Sequence, residues 1–447
     1  MNTRAQKLAF AGASRLTDAA PRLGARFLDA SLRLLLGSRA LIALFTRRNR
    51  VIMRRVKAFR RFLVIPDIHI GDGVLTQPAL AAVRDFFPDA EVDYVVNRTV
   101  APLIEGHPDA SRVLPIFSGG MFPSPADVAA LRELIRAGRY DLCLGFSSLL
   151  EPEEQADPSQ PFVTILSHGA TLVRNEGDPA EINHFSFQDY RFVRGVLATA
   201  ARPVRPESYR GTRTIFSDEA VEEARRFADR AGVAPGAPVV MYNPDGASRY
   251  TILPFESQVA LVRRIAEAAD AIILVGAGHT EAGIGQRLVE ALPEALRRRI
   301  RIIPPIMSLA AYAALIDLAD IFVTGDTGPL HLAASRRYSR TGSHWFRNRT
   351  AVLSIFGATL PRMSGYDSSR PGFLPTNQDA PSWCVLAGSR CHNITCLNKL
   401  YKTCRAVRCF ERLDVSALAA AVVSHLAART AQAPSVARSS APGLADA

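Results

Sequence analysis

The 447-residue chain has no apolar run long enough to span a bilayer, no Walker-type phosphate loop, two tryptophans and six cysteines. Its most apolar stretch, residues 34–45, is broken by Arg39, and a membrane span needs about 20 such residues. Arg15, Arg22, Arg26 and Arg33 fall where the apolar core of a cleavable signal would lie, so none is expected. The six cysteines are then expected to be reduced. Five of them crowd together, Cys384, Cys391, Cys396, Cys404 and Cys409, at spacings unlike the paired C-x2-C of common zinc sites. Buried thiols and a structural metal held by three or four of these, with His392, both stay open. Cys143 lies in a strand-like run and reads as core.

The body also lacks an excess of charge of either sign. Residues 1–61 hold fifteen Lys/Arg and two acids, a net of +13, and the remaining 386 residues carry 39 basic and 40 acidic side chains. A nucleic-acid enzyme concentrates basic residues at its cleft, so this split argues against one. The basic arm reads as an amphipathic helix pair that would lie on an anionic membrane surface, or as a helix packed on the body. Membrane binding implies a cytoplasmic protein, peripheral on the inner face of the cytoplasmic membrane.

Hydrophobic residues make up 48% of the chain, enough for two full cores at this length. Short apolar runs, such as Val92–Val96, Val239–Tyr242, Ile272–Val275 and Val352–Phe356, alternate with Ala/Leu-rich helical stretches such as Phe255–Ala268 and Leu309–Leu318. That rhythm predicts an α/β fold with mostly parallel sheets. The expected order is a basic arm over 1–61, a first Rossmann-like domain over 62–199 and a Pro/Arg-rich linker over 200–213. A second Rossmann-like domain follows over 214–410, then a closing helix over 411–429 and a disordered tail over 430–447. The basic, aromatic segment Arg336–Arg349 and the segment Glu151–Pro161 read as acceptor-side insertions.

Two strand-to-helix mouths carry the chemistry. In Ile321–Ala334 an apolar strand runs into Gly325-Asp326-Thr327-Gly328, and a helix starts behind Pro329. Backbone N–H groups and a positive dipole end converge there, a site suited to phosphate. Asp326 is awkward beside phosphate unless it meets something else, such as sugar hydroxyls. Upstream, the strand Phe62–Pro66 leads through Asp67, His69 and Gly71-Asp72-Gly73 to a helix expected from Val74. Either Asp also fits a plain helix N-cap. The run Gly276-x-Gly278 ends on Glu281, and Gly71-x-Gly73 is followed by Thr76, so neither completes a dinucleotide fingerprint.

Gly71-Asp72 with Pro78-Ala79-Leu80, then Asn243-Pro244-Asp245-Gly246-Ala247, then Gly325–Ala333 resemble, in order and spacing, glycosyltransferase family nine, the ADP-heptose lipopolysaccharide heptosyltransferases. The resemblance covers 62–426. It implies two Rossmann-like domains facing a cleft (the GT-B arrangement), a last helix returning to the first domain, no metal and no cofactor. It also implies inverting transfer of a heptose from a nucleotide diphosphate, ADP-heptose by family, to a lipopolysaccharide-core or other surface glycan hydroxyl. Asp72 would be the base, and the amides of Thr327, Gly328 and Leu330, behind Pro329, would bind the diphosphate. Asp326 would contact the donor sugar and Glu281 the ribose. Where relatives carry a phosphate-binding Lys, this chain has Thr251, with Arg249 close by as a substitute of different geometry. A non-catalytic nucleotide-sugar-binding relative and a family member glycosylating a protein stay open.

Overall fold

The computed structural model describes residues 47–119, 123–146, 161–165, 180–246, 250–278, 281–357, 359–387 and 408–432. Two parallel sheets organise them. The first contains β1 (Arg61–Ile65), β2 (Glu91–Asn97), β3 (Arg112–Phe117), β4 (Leu142–Gly145) and β5 (Phe162–Thr164), in the order β3-β2-β1-β4-β5. The second contains β7 (Val239–Tyr242), β8 (Ile272–Gly276), β9 (Ile300–Ile303), β10 (Ile321–Gly325), β12 (Ala351–Phe356) and β13 (Ser382–Leu386). Its order is β13-β12-β10-β7-β8-β9. Helices cover both faces of such sheets, so the central strands read as unbroken apolar runs: Phe62, Leu63, Val64 and Ile65 of β1 have no exposed surface. Ser354 of β12 is buried among apolar neighbours and donates its hydroxyl to the Trp383 carbonyl (3.2 Å).

The α/β expectation with parallel sheets therefore holds, and several helices match their sequence limits. Phe255–Ala268 forms as read, and the helix Asp218–Arg230 starts at Ser217, whose hydroxyl accepts the Ala220 N–H. Other readings need correction. The helix expected from Val74 begins at Ile70 and ends at Leu75, and a new one runs over Gln77–Phe86. Pro78 explains the break, because proline fits a first helical turn and clashes inside a continuous helix.

The expected linker is bound to the first half. Val204 and Arg205 donate N–H groups to the Asp85 carbonyl, Ser208 donates to the Asp85 carboxylate (3.0 Å), and Arg210 pairs with Asp109. It runs into β6 (Arg213–Phe216), which pairs in parallel with β11 (Arg336–Ser339). The segment read as a basic loop over 336–349 thus opens as a strand. Arg337 within it is fully buried, donating to Gln378 and pairing with Asp317, so its charge belongs to the interior. Of the basic arm, 47–61 is described: Met53 is 1% exposed in the core and Phe59 stacks on Phe87 at 4.7 Å. The rest of the arm, most of 151–161 and the tail from 433 lie outside the described residues. The closing helix Val415–Gln432 buries Leu418, Ala419, Val422 and Leu426 in the second half's core, where the resemblance implied a return to the first half. No helix among the described residues is long and apolar enough to cross a membrane.

Candidate active site

β1 delivers the chain to Asp67, whose carboxylate accepts the Ile68 N–H, while Asn97 from the end of β2 holds the Ile68 carbonyl at 3.0 Å. The following helix has His69 as N-cap, with no side-chain capping bond, so Asp72 is the third helical residue rather than the cap. A carboxylate in the first turn faces the positive dipole end. Asp72 is half-buried between two buried glycines. Behind it Tyr94 donates its hydroxyl to the Gly73 carbonyl (2.8 Å). Burial, then the charges of Asp189 and Asp72, raise the Tyr94 hydroxyl well above the ordinary tyrosine range.

The second mouth is built from three strand ends. The Asn243 side-chain amide, just past β7, donates to the Asp245 carbonyl (2.8 Å), to Thr324 Oγ1 (3.0 Å) and to Thr327 Oγ1 (3.3 Å). Thr327 is the N-cap of the helix Gly328–Ala334, yet its hydroxyl is taken by this network and makes no capping bond. Thr251 is buried, and its carbonyl accepts the Asp326 N–H at 3.0 Å. A Cβ on Gly325 would stand 1.9 Å from that carbonyl oxygen, and one on Gly246 would stand 2.6 Å from Thr327 Cγ2. Here glycine is required by close backbone approach. The Leu330 N–H turns inward onto the Thr327 carbonyl (3.0 Å). Pro329 follows Gly328 in the first turn, both half-buried.

The two mouths, far apart in sequence, touch. A Cβ on Gly71 would lie 2.9 Å from the His331 ring and 3.7 Å from Gly328 Cα, and one on Gly328 would lie 3.3 Å from Ile70. His331 is the residue between them. Its Nδ1 shares a hydrogen bond with the Tyr366 hydroxyl (3.1 Å), and burial lowers its pKa to about 4. His184, from the first half, packs on Tyr366 at 4.6 Å, and burial, then His331, lowers it to about 3. The Asp326 carboxylate is held by Thr359 (2.5 Å) and Ser364 (3.2 Å).

The structure therefore gathers Asp72, Asp326, Thr327, Gly328, Pro329, Leu330 and Thr251 around one joint. Glu281, in the turn after β8, is exposed and paired with Arg287. Arg249 lies outside the described residues. So do Cys391, Cys396 and Cys404. Cys384 sits in β13 against Gly365 and is buried, its thiol pushed up to about 12, and Cys409 is buried in the second half's core. Among the described residues no group of three His, Cys, Asp or Glu could hold a metal. Sequence reading missed His184, Thr359, Ser364 and Tyr366. The signal for the last three was position, since they follow the carboxyl end of β12, where parallel sheets bind ligands.

Known proteins resemble this chain in sequence and in fold. Residues 220–338 match the model of glycosyltransferase family 9 (heptosyltransferase). A putative glycosyltransferase of Haemophilus influenzae is 23% identical over 286 residues, 62% of this chain and 79% of that protein. Lipopolysaccharide heptosyltransferase 1 of Escherichia coli is 29% identical over 115 residues, 24% of this chain and 34% of that protein, so this match spans a third of the relative. Among solved structures, a family 9 glycosyl transferase from Veillonella parvula aligns with a TM-score of 0.57 at 15% identity, covering 83% of this chain and 98% of that one. The ADP-heptose LPS heptosyltransferase II of E. coli aligns at 0.50 with 14% identity, covering 83% and 99%. These two show the fold, which is of the GT-B type. Motifs, fold and sequence matches together support glycosyltransferase family nine, heptosyltransferase-like, as the family this chain resembles.

Proposed function

We propose that the joint between the two mouths is the catalytic centre of an inverting transfer. A heptose passes from ADP-heptose to a hydroxyl of a lipopolysaccharide-core acceptor or a related surface glycan. The observation that carries this reading is the contact of the Asp72 helix with the Gly328 helix through Gly71, Ile70 and His331. That contact supports a reading in which the Asp72 carboxylate works beside a turn suited to an anion. The amides of Thr327 and Gly328 meet the diphosphate and stabilise charge as the anomeric C–O bond breaks. Asp326 meets hydroxyls of the donor sugar. Asp72 takes the proton of the acceptor hydroxyl as its oxygen attacks the anomeric carbon from the opposite face, inverting it. The developing charge is borne by the protein's own donors, without a metal in the scheme. Glu281 serves the ribose after releasing Arg287. Residues 1–46, with the basic stretch that follows, hold the enzyme on the anionic inner face of the membrane, near a glycolipid acceptor. The domain limits read from sequence serve this scheme as an acceptor-side half before about residue 200 and a donor-side half after it.

Thr251 favours a second reading. Its side chain is buried against Gly246, where a phosphate-reaching Lys stands in relatives. A non-catalytic nucleotide-sugar binder would tolerate that change, whereas an enzyme needs Arg249 or the amides to compensate.

The test is a panel of nucleotide sugars scored by thermal shift, followed by product analysis with delipidated core acceptors. The true donor at a hundred times its Kd stabilises by about 2.7 kcal/mol. ADP-heptose is expected to stabilise most and to yield product of inverted configuration. Binding without turnover on any acceptor selects the second reading.

A further inference from the structure

We propose that Thr359 and Ser364 are positioning residues for the donor sugar, acting by fixing the Asp326 carboxylate. The inference rests on the reading that Asp326 meets the sugar. Each carboxylate oxygen accepts one hydroxyl, Oδ2 from Thr359 at 2.5 Å and Oδ1 from Ser364 at 3.2 Å. An ionised carboxylate offers about four lone-pair sites. One on each oxygen is used here, and the remaining pair is aimed by that choice. Two neighbouring hydroxyls of a sugar can then be met at once, without a search over side-chain rotamers when the donor arrives.

The Ser364 hydroxyl is itself held. Ser364 ends the short helix Pro361–Ser364. Next to it Gly365 is pressed against the second sheet, where a Cβ would stand 2.4 Å from Cys384 Sγ and 2.7 Å from the Pro361 carbonyl. Tyr366 then reaches His331 through its hydroxyl at 3.1 Å and lies on the His184 ring at 4.6 Å. Arg362 donates to the Glu181 carbonyl of the first half at 2.8 Å. The segment is thus pinned by the sheet below it, by the motif helix beside it and by the other half of the molecule. A clamp fixed on three sides can orient Asp326. A hydroxyl on a loose loop would follow it instead.

The experiment compares calorimetric binding of ADP-heptose and of ADP alone, with steady-state kinetics, in Thr359→Val, Ser364→Ala, the double variant, and Thr359→Ser with Ser364→Thr. The double variant is expected to bind ADP-heptose about tenfold more weakly, with ADP affinity within about twofold. The donor KM should rise more than kcat falls, and the hydroxyl-retaining pair should recover most of the loss. Equal losses for ADP and ADP-heptose would overturn the proposal, since that is what general damage to the fold produces. Unchanged ADP-heptose binding in the double variant would overturn it as well. Asp326→Asn is the separate control. If it leaves the preference for ADP-heptose over ADP intact, the sugar reading of Asp326 itself fails.

Discussion

The two Gly-Asp mouths look alike in sequence and are built differently. At the first, Asp72 is inside its helix as the third residue, and the glycines on either side let neighbouring elements close in. At the second, Asp326 precedes the N-cap, and its carboxylate is tied to two hydroxyls from another segment. Asp72 stands in the first turn at the positive end of its helix dipole, whereas Asp326 is braced by hydroxyls of a separate segment before any ligand arrives. In the proposed reading the same dipeptide serves proton transfer inside one helix and sugar recognition ahead of the other.

Exchanging each Asp for Asn is the strongest way to break this comparison. Asp72→Asn removes the proposed base and keeps the side chain's size, and the dipole interaction it gives up is worth about 0.3–1 kcal/mol. Turnover should drop by about two to four orders of magnitude with donor binding unchanged. Asp326→Asn should act mainly on the donor KM. If both variants lose kcat equally with no change in KM, the division of labour between the two turns is wrong. A near-normal rate in Asp72→Asn would move the base to Asp67 or His69.

Adding one methyl group at each mouth sharpens the contrast. Alanine at Gly325 would press on the Thr251 backbone oxygen, which cannot rotate away, so a stability loss of about 3 kcal/mol or more is expected by urea denaturation. Alanine at Gly71 meets the His331 ring instead. Helix propensity returns about 0.5–1 kcal/mol there, so the protein should fold. The displaced joint should cost about ten- to a hundredfold in kcat/KM. A stable Gly325→Ala would show that the close approach at the donor turn is not required.

How much of this was legible is plain at these residues. The strands, the Gly-Asp turns and the Asn243 motif follow from local pattern and spacing. That Gly71 faces His331 does not, because it depends on how two sheets pack, and no periodicity encodes a contact across so many residues. The buried Arg337 was misread for a related reason: a guanidinium looks like surface until Asp317 and Gln378 are found beside it. Likewise Cys384 grouped with the other cysteines by spacing, but it belongs to β13 by fold. Thr359 and Ser364 carry no motif of their own and gain meaning only from the carboxylate they touch.

The joint should also carry a signature in acid. His184 and His331 are depressed by burial to about 3 and about 4, against about 6.5 in the unfolded chain. Their contribution is fully present above pH 6.5. As pH falls towards 4 the unfolded chain takes up protons that the folded chain refuses, and stability falls by about 1.4 kcal/mol per pH unit for each histidine. Urea titrations at pH 7, 6 and 5 should show this loss, and His184→Gln should make it shallower by one proton. His107, buried elsewhere in the first half and lowered to about 3, adds an equal slope that the variant leaves untouched. An unchanged slope in His184→Gln would mean that this ring is not held neutral at the joint.

The smallest effect distinguishes the hydroxyls behind the two turns. Thr76 ends the Asp72 helix and donates to the fully buried Asp189 carboxyl at 3.1 Å. Thr327 shares its hydroxyl among neutral partners, Asn243 and Thr324. Valine at either site keeps the shape and removes the hydroxyl. Thr76→Val should cost about 1–3 kcal/mol and Thr327→Val about 0.5–1.5 kcal/mol in urea denaturation, because Thr76 serves a carboxyl buried beyond the reach of water, whereas Asn243 and Thr324 keep each other as partners once the Thr327 hydroxyl is gone. Binding should rank the other way. Thr327→Val loosens the amide turn itself and should weaken ADP a few-fold, whereas Thr76→Val lies on the acceptor side and should leave ADP affinity unchanged. If Thr76→Val weakens ADP as much as Thr327→Val does, the nucleotide is not confined to the second turn, and the two mouths work as one binding surface rather than as base and donor site.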